Sequence, residues 1–483
     1  MRNFIKSRLF ATILTSIILA SSITFIILLA GTSLLSAKWL VPMSVVILLV
    51  ISAVFFLVGD FKKRIRAIIG IILALLLLIS EIVGGFYLLH GASALEHITK
   101  PEVEFAEIGV YVLNDSPAKE ISQTKGFKFG ILDELDRENT NSALEELGSV
   151  LGEDVSIKEF EGLEQLFSAL LEGEIDAVLA NTSLFELLED TDDLSLNLSL
   201  VIRLHIFEVE SKGDKLPENP VLKDDNTFIL YITGIDTRSK KISKRSRSDV
   251  NILAAVNTET RQIALISTPR DYYVPLSISR GIPDKLTHSG VYGTNVSIDT
   301  MEMIYGIDID YYFKVNFTGF KDIIDALGGV TVKAELSFSS GPYYFRKGYN
   351  FVDGEAALAF ARNRKNTGGD RQRGIHQMAV IRGVIEKAVS PALLTNYTKV
   401  LDGIKGSFET SVPYDFIAKL VRNQLDDGTE WNIVSYAVNG TGATRSVYSL
   451  SQKAYVLIPD KSTIDKAKSL MEQVRLGNVP VLN

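Results

Sequence analysis

The chain has 483 residues, enough for two or three domains, and 46% of them are apolar. It contains no cysteine, which excludes disulfides and thiol chemistry and suits an exported protein of a bacterium that does without disulfides. The formal charge of -8 hides an uneven distribution along the chain that is more informative than the total.

The apolar residues come first. Residues 9–30, 40–58 and 67–89 are nearly uninterrupted apolar runs, each close to the ~20 residues that carry a helix across a bilayer. The first run is too long for the core of a cleaved signal, and two more follow it. Arg2, Lys6 and Arg8 precede the first run, and Lys62, Lys63, Arg64 and Arg66 follow the second. The connection between them has only Lys38. Basic flanks stay in the cytoplasm, so the N-terminus is expected inside the cell membrane and everything after about residue 91 outside it. Glu81 interrupts the third run. An ionised carboxylate is costly there, and a protonated or helix-facing side chain is the plain reading.

In residues 101–225 acidic side chains outnumber basic ones thirty to nine, whereas residues 226–483 hold thirty-two basic and twenty-five acidic. The change falls in 212–225, whose Gly213, Pro217 and Pro220 give it linker composition. The expected organisation is a membrane segment at 1–95, an acidic accessory domain at 96–225 and a third domain at 226–483. Within the accessory part, strand-like 108–113, 128–132 and 177–180 alternate with helix-like 139–151 and 163–171, a small α/β pattern. Segments 126–132 and 173–178 resemble short pieces of periplasmic solute-binding proteins. A binding or protein-contact module and a plain spacer both fit.

In the last part, 228–234 reads as a buried strand with Asp236 at its carboxyl end, where open α/β sheets gather their ligands. Runs 250–257 and 262–267 flank Thr258-Glu259-Thr260-Arg261, the pattern of a hairpin. If Asn257 pairs with Gln262, the register brings Asp249 opposite Arg270 with their backbones about 5 Å apart. Residues 354–361 read as a helix with Asp353 as N-cap. If it ends near Ala361, Arg362 and Arg364 share one face of an extended chain; a continuing helix would splay them by about 200°. After Gly368-Gly369 a second helix begins near Asp370. It sets Arg373 and Gln377 on one face and offers its first amides to an anion.

Guanidinium forks pair with phosphate oxygens, and carboxylates hold the hard cations that accompany phosphates. Any one of these arginines alone reads as a surface ion pair; five or six beside Asp236 and Asp249 point to a pyrophosphate and metal site. Asp271 reads either as a catalytic group or as the acceptor of a hydrogen bond within its own turn. Tyr272 and Tyr273 are expected to pack. His288 and His376 have no partners at zinc-ligand spacing. The basic run 238–247 has the composition of a nucleic-acid patch, but its side of the membrane favours anionic headgroups, polymer or plain solvent, and no nucleic-acid partner is expected. No Walker A or dinucleotide-type glycine loop follows a strand.

Gly234-Ile235-Asp236-Thr237-Arg238, Arg247-Ser248-Asp249-Val250-Asn251-Ile252, Ser267-Thr268-Pro269-Arg270-Asp271-Tyr272 and Ala361-Arg362-Asn363-Arg364 stand in that order. Together they resemble the LytR-CpsA-Psr family of Gram-positive cell-wall enzymes. The three apolar runs and the accessory domain resemble its streptococcal capsule branch. The resemblance implies an α/β/α sandwich with a mixed central sheet after the small α/β accessory domain. It also implies a ligase that moves a glycopolymer, such as capsular polysaccharide, from an undecaprenyl pyrophosphate carrier to the 6-hydroxyl of N-acetylmuramic acid in peptidoglycan, leaving a phosphodiester. By the family pattern Asp236 and Asp249 hold Mg²⁺ or Mn²⁺. Arg247, Arg270, Arg362, Arg364, Arg373 and Gln377 bind the pyrophosphate. The polyprenyl tail enters an apolar tunnel to which Phe313, Val315, Phe317, Phe320 and Ile324 contribute, although ordinary core packing fits those five equally well. One departure stands out: His376 occupies the place of a second Arg, which leaves both Arg371 and Arg373 as candidates for a phosphate contact. Phosphoryl transfer to a sugar hydroxyl needs a base or metal to assist, and Asp249 and Asp271 are the two candidates for the base. A polyprenyl pyrophosphatase and a membrane-anchored sensor of the lipid-linked precursor are the rival functions. Other capsule-assembly proteins are natural partners.

Overall fold

The computed structural model describes residues 2–32, 35–59, 64–98, 104–189, 198–210, 226–235, 242, 245–364, 369–390, 400, 404 and 406–482. The linker expected at 212–225, Asp236 and most of the basic run lie outside these residues. The chain forms two compact units.

One unit takes residues 1–99, 389–405 and 412–430. Helices α1 (Arg2–Gly31), α2 (Ala37–Val58) and α3 (Arg64–Ile98) contain three stretches, Arg8–Gly31, Ala37–Val58 and Arg64–Leu89, long and apolar enough to cross a membrane. They pack on one another through Ala11, Ile18, Ile47, Ile51, Val54 and Ala74. Large side chains such as Leu49, Phe56 and Ile82 point outward, as in a bundle whose solvent is lipid. Glu81 faces inward: Ser21 Oγ donates to it at 2.7 Å, and Ser22 Oγ donates to its other oxygen.

The second unit contains two mixed sheets. The first is built from β1 (Phe105–Leu113), β2 (Lys128–Leu132), α4 (Arg137–Leu151), β3 (Ser156–Phe160), α5 (Leu163–Leu171), β4 (Ala177–Asn181), α6 (Thr182–Glu189) and β5 (Val201–Glu210). Its strand order is β3-β2-β4-β1-β5. The parallel pairs β2/β3 and β2/β4 need crossovers, which α4 and α5 supply.

The elements of the second sheet and its surroundings are β6 (Thr227–Ile235), β7 (Ser248–Asn257), β8 (Gln262–Ser267), β9 (Tyr273–Pro275), β10 (Pro283–Lys285), α7 (Thr294–Tyr305), β11 (Tyr311–Asn316) and α8 (Phe317–Ala326). They continue through β12 (Val330–Ala334), β13 (Phe338–Ser340), β14 (Tyr343–Phe345), β15 (Gly348–Val352), α9 (Gly354–Arg362), α10 (Gly369–Ala388) and β16 (Phe408–Thr410). The last are α11 (Tyr414–Asp427), which belongs to the first unit, then β17 (Asn432–Ala437), β18 (Gly440–Val447), β19 (Leu450–Pro459) and α12 (Lys461–Arg475). The six-stranded order is β16-β11-β6-β7-β8-β17, with β6/β11 and β8/β17 parallel and the other pairs antiparallel.

Alternation along β7 explains the layering. Leu253 and Ala255 pack with Met301, Leu470 and Val474 of α7 and α12. Ile252, Ala254 and Val256 pack with Ile375, Met378 and Ile385 of α10 on the other face. This is an α/β/α sandwich. The two sheets are not independent: Tyr111, Leu166, Phe167 and Leu184 of the first share one core with Leu276, Val291, Val447 and Val456 of the second.

Candidate functional site

The hairpin forms in the expected register, with Asn257 paired to Gln262 and Ile252 to Ser267. Beyond the last pair, Arg270 Nη1 reaches both oxygens of Asp249, at 2.9 and 3.0 Å. Thr287, in the 3₁₀ turn Leu286–Val291, donates to the same carboxylate at 3.2 Å. Arg270 Nε is buried and has no well-aligned acceptor; the nearest carboxylate, Asp271, is 3.8 Å away. A guanidinium held on one edge with a donor left over is suited to take an anionic oxygen.

Asp271 does not turn back on its own loop. Its carboxylate pairs with Lys285 of β10 at 2.7 Å, a partner not anticipated from the chain. Tyr272 and Tyr273 pack as expected, their hydroxyls donating to the carbonyls of Asn439 and Ser446.

Helix α10 brings the third group. It starts at Gly369, in a left-handed conformation at φ 72°. It lies so close to β8 that a Cβ on Gly374 would meet Ser267 Oγ at 2.3 Å. That approach puts Arg373 beside the hairpin end, where Nη2 contacts Asp370 at 2.8 Å and the Asp249 carbonyl at 3.3 Å. Arg364 Nη2 lies 3.7 Å from Asp370. Helix α9 ends at Arg362, with Asp353 capping its start through the Ala356 amide and Asn363 extended after its end. Arg362 is exposed and lies over the Phe317 ring, 4.5 Å from its centroid. Arg247 and Gln377 are half-buried, and Arg371 is exposed.

His376 sits in a cage rather than at the site. Its ring stacks 4.8 Å from Phe338 and tilts against Phe360 at 4.6 Å. Burial pushes it down to about 4, against a hydrogen bond with the Phe360 backbone. Buried neutral, it cannot stand in for a guanidinium at neutral pH.

Burial pushes Asp370 up to about 6; Asp271 and Asp249 add to the push, and Arg364 and Arg270 oppose it. Three carboxylates thus share one field. The Oδ1 atoms of Asp271 and Asp370 are buried and accept no well-aligned hydrogen bond in spite of their ion pairs. Carboxylate oxygens suit a hard divalent cation, and here these two atoms lie 2.7 and 2.8 Å from Lys285 Nζ and Arg373 Nη2. Among the described residues no three His, Asp or Glu side chains form a metal cage. Two carboxylates completed by substrate phosphate is, however, the usual way Mg²⁺ is held.

Beside this cluster the α10-facing side of the sheet is apolar and incompletely covered. Phe228, Leu230, Ile232, Phe313 and Val315 share that face by register and are all half-buried. Phe313 stacks on Phe408 at 4.6 Å. Phe317 and Phe320 of α8 are half-buried too, whereas Ile324 is fully buried.

Lys285 and Thr287 were missed from sequence. They stand two apart in the chain, a weak signal that gains meaning only when β10 pairs with β9 and the 3₁₀ turn follows it.

The LytR_cpsA_psr family model matches residues 201–473. The teichoic acid transferase TagU of Bacillus subtilis (strain 168) is 31% identical over 239 residues, which is 49% of this chain and 76% of TagU. TagU of Enterococcus faecalis is 33% identical over 216 residues, 44% and 70% of the two chains. Among solved structures, B. subtilis TagV aligns at 26% identity with a TM-score of 0.44, covering 53% of this chain and 98% of TagV. TagT bound to LI-WTA aligns at 26% identity with a TM-score of 0.42, covering 52% and 91%.

Proposed function

The chain belongs to the LytR-CpsA-Psr family, and from this premise we propose that it transfers a glycopolymer from a polyprenyl pyrophosphate carrier to peptidoglycan. The observation that carries the reading is one convergence. Arg270, Arg373 and Arg364 gather around Asp249 and Asp370 at the end of the central hairpin, beside a half-buried apolar face. A pyrophosphate with a long apolar tail has these two needs and few other ligands have both.

A hydroxyl oxygen of peptidoglycan attacks the phosphorus that bears the polymer. The bond between that phosphorus and the bridging oxygen breaks, polyprenyl phosphate leaves, and a phosphodiester joins polymer to wall. The hydroxyl proton passes to Asp249 or Asp271. Charge neutralisation and alignment do most of the work in such reactions. Arg270 Nε, Arg364 and Arg373 are placed to neutralise phosphate oxygens. Arg362 joins them by leaving Phe317. Asp236 and Asp249 would hold Mg²⁺, which would supply positive charge beside the pyrophosphate oxygens. The tail lies along Phe313, Val315, Phe317 and Phe320, where its burial contributes roughly 0.8 kcal/mol per CH₂. With basic flanks inside, the whole second unit is outside the cell, where phosphate arrives on lipid carriers. The three-helix segment suggests the capsule branch, and hence a capsular polysaccharide or similar polymer.

The full-length protein in nanodiscs, given a lipid-linked polysaccharide donor and peptidoglycan, is expected to attach polymer covalently, and chelation with EDTA should abolish this. Release of free polymer without attachment would identify a pyrophosphatase instead. Binding of donor with no turnover would favour a sensor.

A further inference from the structure

Glu104, the residue before β1, belongs to the accessory sheet by sequence, yet its carboxylate is buried against the catalytic one. It accepts the Thr294 amide at 3.1 Å, the Thr294 hydroxyl and Lys314 Nζ, and Arg245 Nε stands 3.7 Å away. It therefore touches the first residue of α7, the middle of β11 and the chain leading into β7.

Arg245 is held by the accessory sheet at two further points. Its amide donates to the Phe105 carbonyl at 3.2 Å, and its carbonyl accepts Ser183 Oγ of α6 at 2.8 Å. The backbone from Arg245 to Asp249 has little room to move. A Cβ on Gly290 would lie 2.4 Å from the Ser246 carbonyl and 2.7 Å from the Ser248 amide. The turn that contains Gly290 also carries Thr287 to Asp249.

We propose that Glu104 is a positioning residue, through which the accessory sheet sets the 245–249 backbone and so the placement of Asp249 against Arg270. The accessory domain is then a structural part of the phosphate site, not a spacer. The catalytic consequence rests on the transferase reading; the positioning itself does not.

The test uses full-length protein in nanodiscs with three variants: Glu104→Gln, Glu104→Gln/Lys314→Met and Ser183→Ala. Glu104→Gln leaves Lys314 and Arg245 short of a counter-charge and is expected to lower the thermal midpoint. The double variant removes one cation and restores the midpoint. A role in charge balance alone predicts that activity returns with it. Positioning predicts that amide exchange over 245–250 and 287–296 stays about fivefold faster than in the parent. It also predicts a kcat about tenfold lower with KM for the donor within about twofold. Ser183→Ala shows the same exchange pattern, weaker. Exchange at the parental rate in the double variant overturns the proposal, and so does faster exchange with unchanged kcat. A parent protein that transfers nothing refutes the transferase reading, while the exchange data still decide whether Glu104 positions the segment.

Discussion

Two clusters of acidic and basic side chains in the second unit behave oppositely. Around Lys314, the side chains of Glu104, Glu409 and Arg245 are each 7% exposed or less. Burial alone would raise Glu104, but Lys314, Thr294 and Arg245 hold it below the usual carboxylate range. Tyr312 completes the set by donating to Glu409 at 2.5 Å. Around Asp249 the groups are partly open, Arg364 being 39% exposed. There burial outweighs compensation at Asp370. A structural cluster pairs its charges internally. A binding cluster keeps some uncompensated, which is why perturbed groups concentrate at functional sites.

The largest way to break this contrast is to remove a partner from the closed cluster. Lys314→Met is expected to destabilise the second unit by about 3–5 kcal/mol, because it strands a buried carboxylate. Urea unfolding followed by near-ultraviolet circular dichroism checks this, and a loss below about 1 kcal/mol would remove the distinction. Arg270→Ala should do the reverse, lowering transfer by about 10²–10³-fold with little change in stability. Equal losses in activity and stability would mean that Arg270 is mainly structural.

Two smaller effects sharpen the picture through pH, both on α10. The unfolded chain protonates His376 near 6.5, whereas the buried ring stays neutral down to about 4. The stability it supports is present above 6.5 and is lost as pH falls to 4, by about 3 kcal/mol. His376→Phe should flatten that limb of the stability profile; an unchanged slope would place the acid sensitivity elsewhere. Asp370 has the opposite sign. Its ionisation is deferred from 3.8 to about 6 in the fold, so it imposes a cost that grows between those values and is complete above 6. In metal-free buffer Asp370→Asn is therefore expected to be more stable than the parent by about 3 kcal/mol at pH 7.5, and indistinguishable at pH 3.5. A variant less stable than the parent at pH 7.5 would show the Arg364 and Arg373 contacts outweighing the burial.

Much of the site was legible because its signals are local. The hairpin register follows from a short loop between two apolar runs, and it alone opposes Asp249 to Arg270. The Asp353 cap and the end of α9 at Arg362 follow from side-chain capping and the Asn363 break. The choice between Arg371 and Arg373 did not follow. Residues two apart on a helix point about 200° from each other, so the start of α10 and the closeness of Gly374 to Ser267 decide which one reaches Asp249. His376 was illegible for a related reason, since its aromatic cage comes from Phe338 and Phe360, well separated from it along the chain.

By itself the amino-acid sequence determined the three apolar spans, the acidic and basic halves of the remainder and the hairpin that founds the site. Each rests on periodicity, composition or a turn a few residues long. Tertiary structure alone decided that Lys285 pairs with Asp271, that His376 is packed away and that Glu104 reaches Arg245 and Lys314. These contacts join residues far apart in the chain, and burial and charge compensation select them only when the sheets and helices have closed around them.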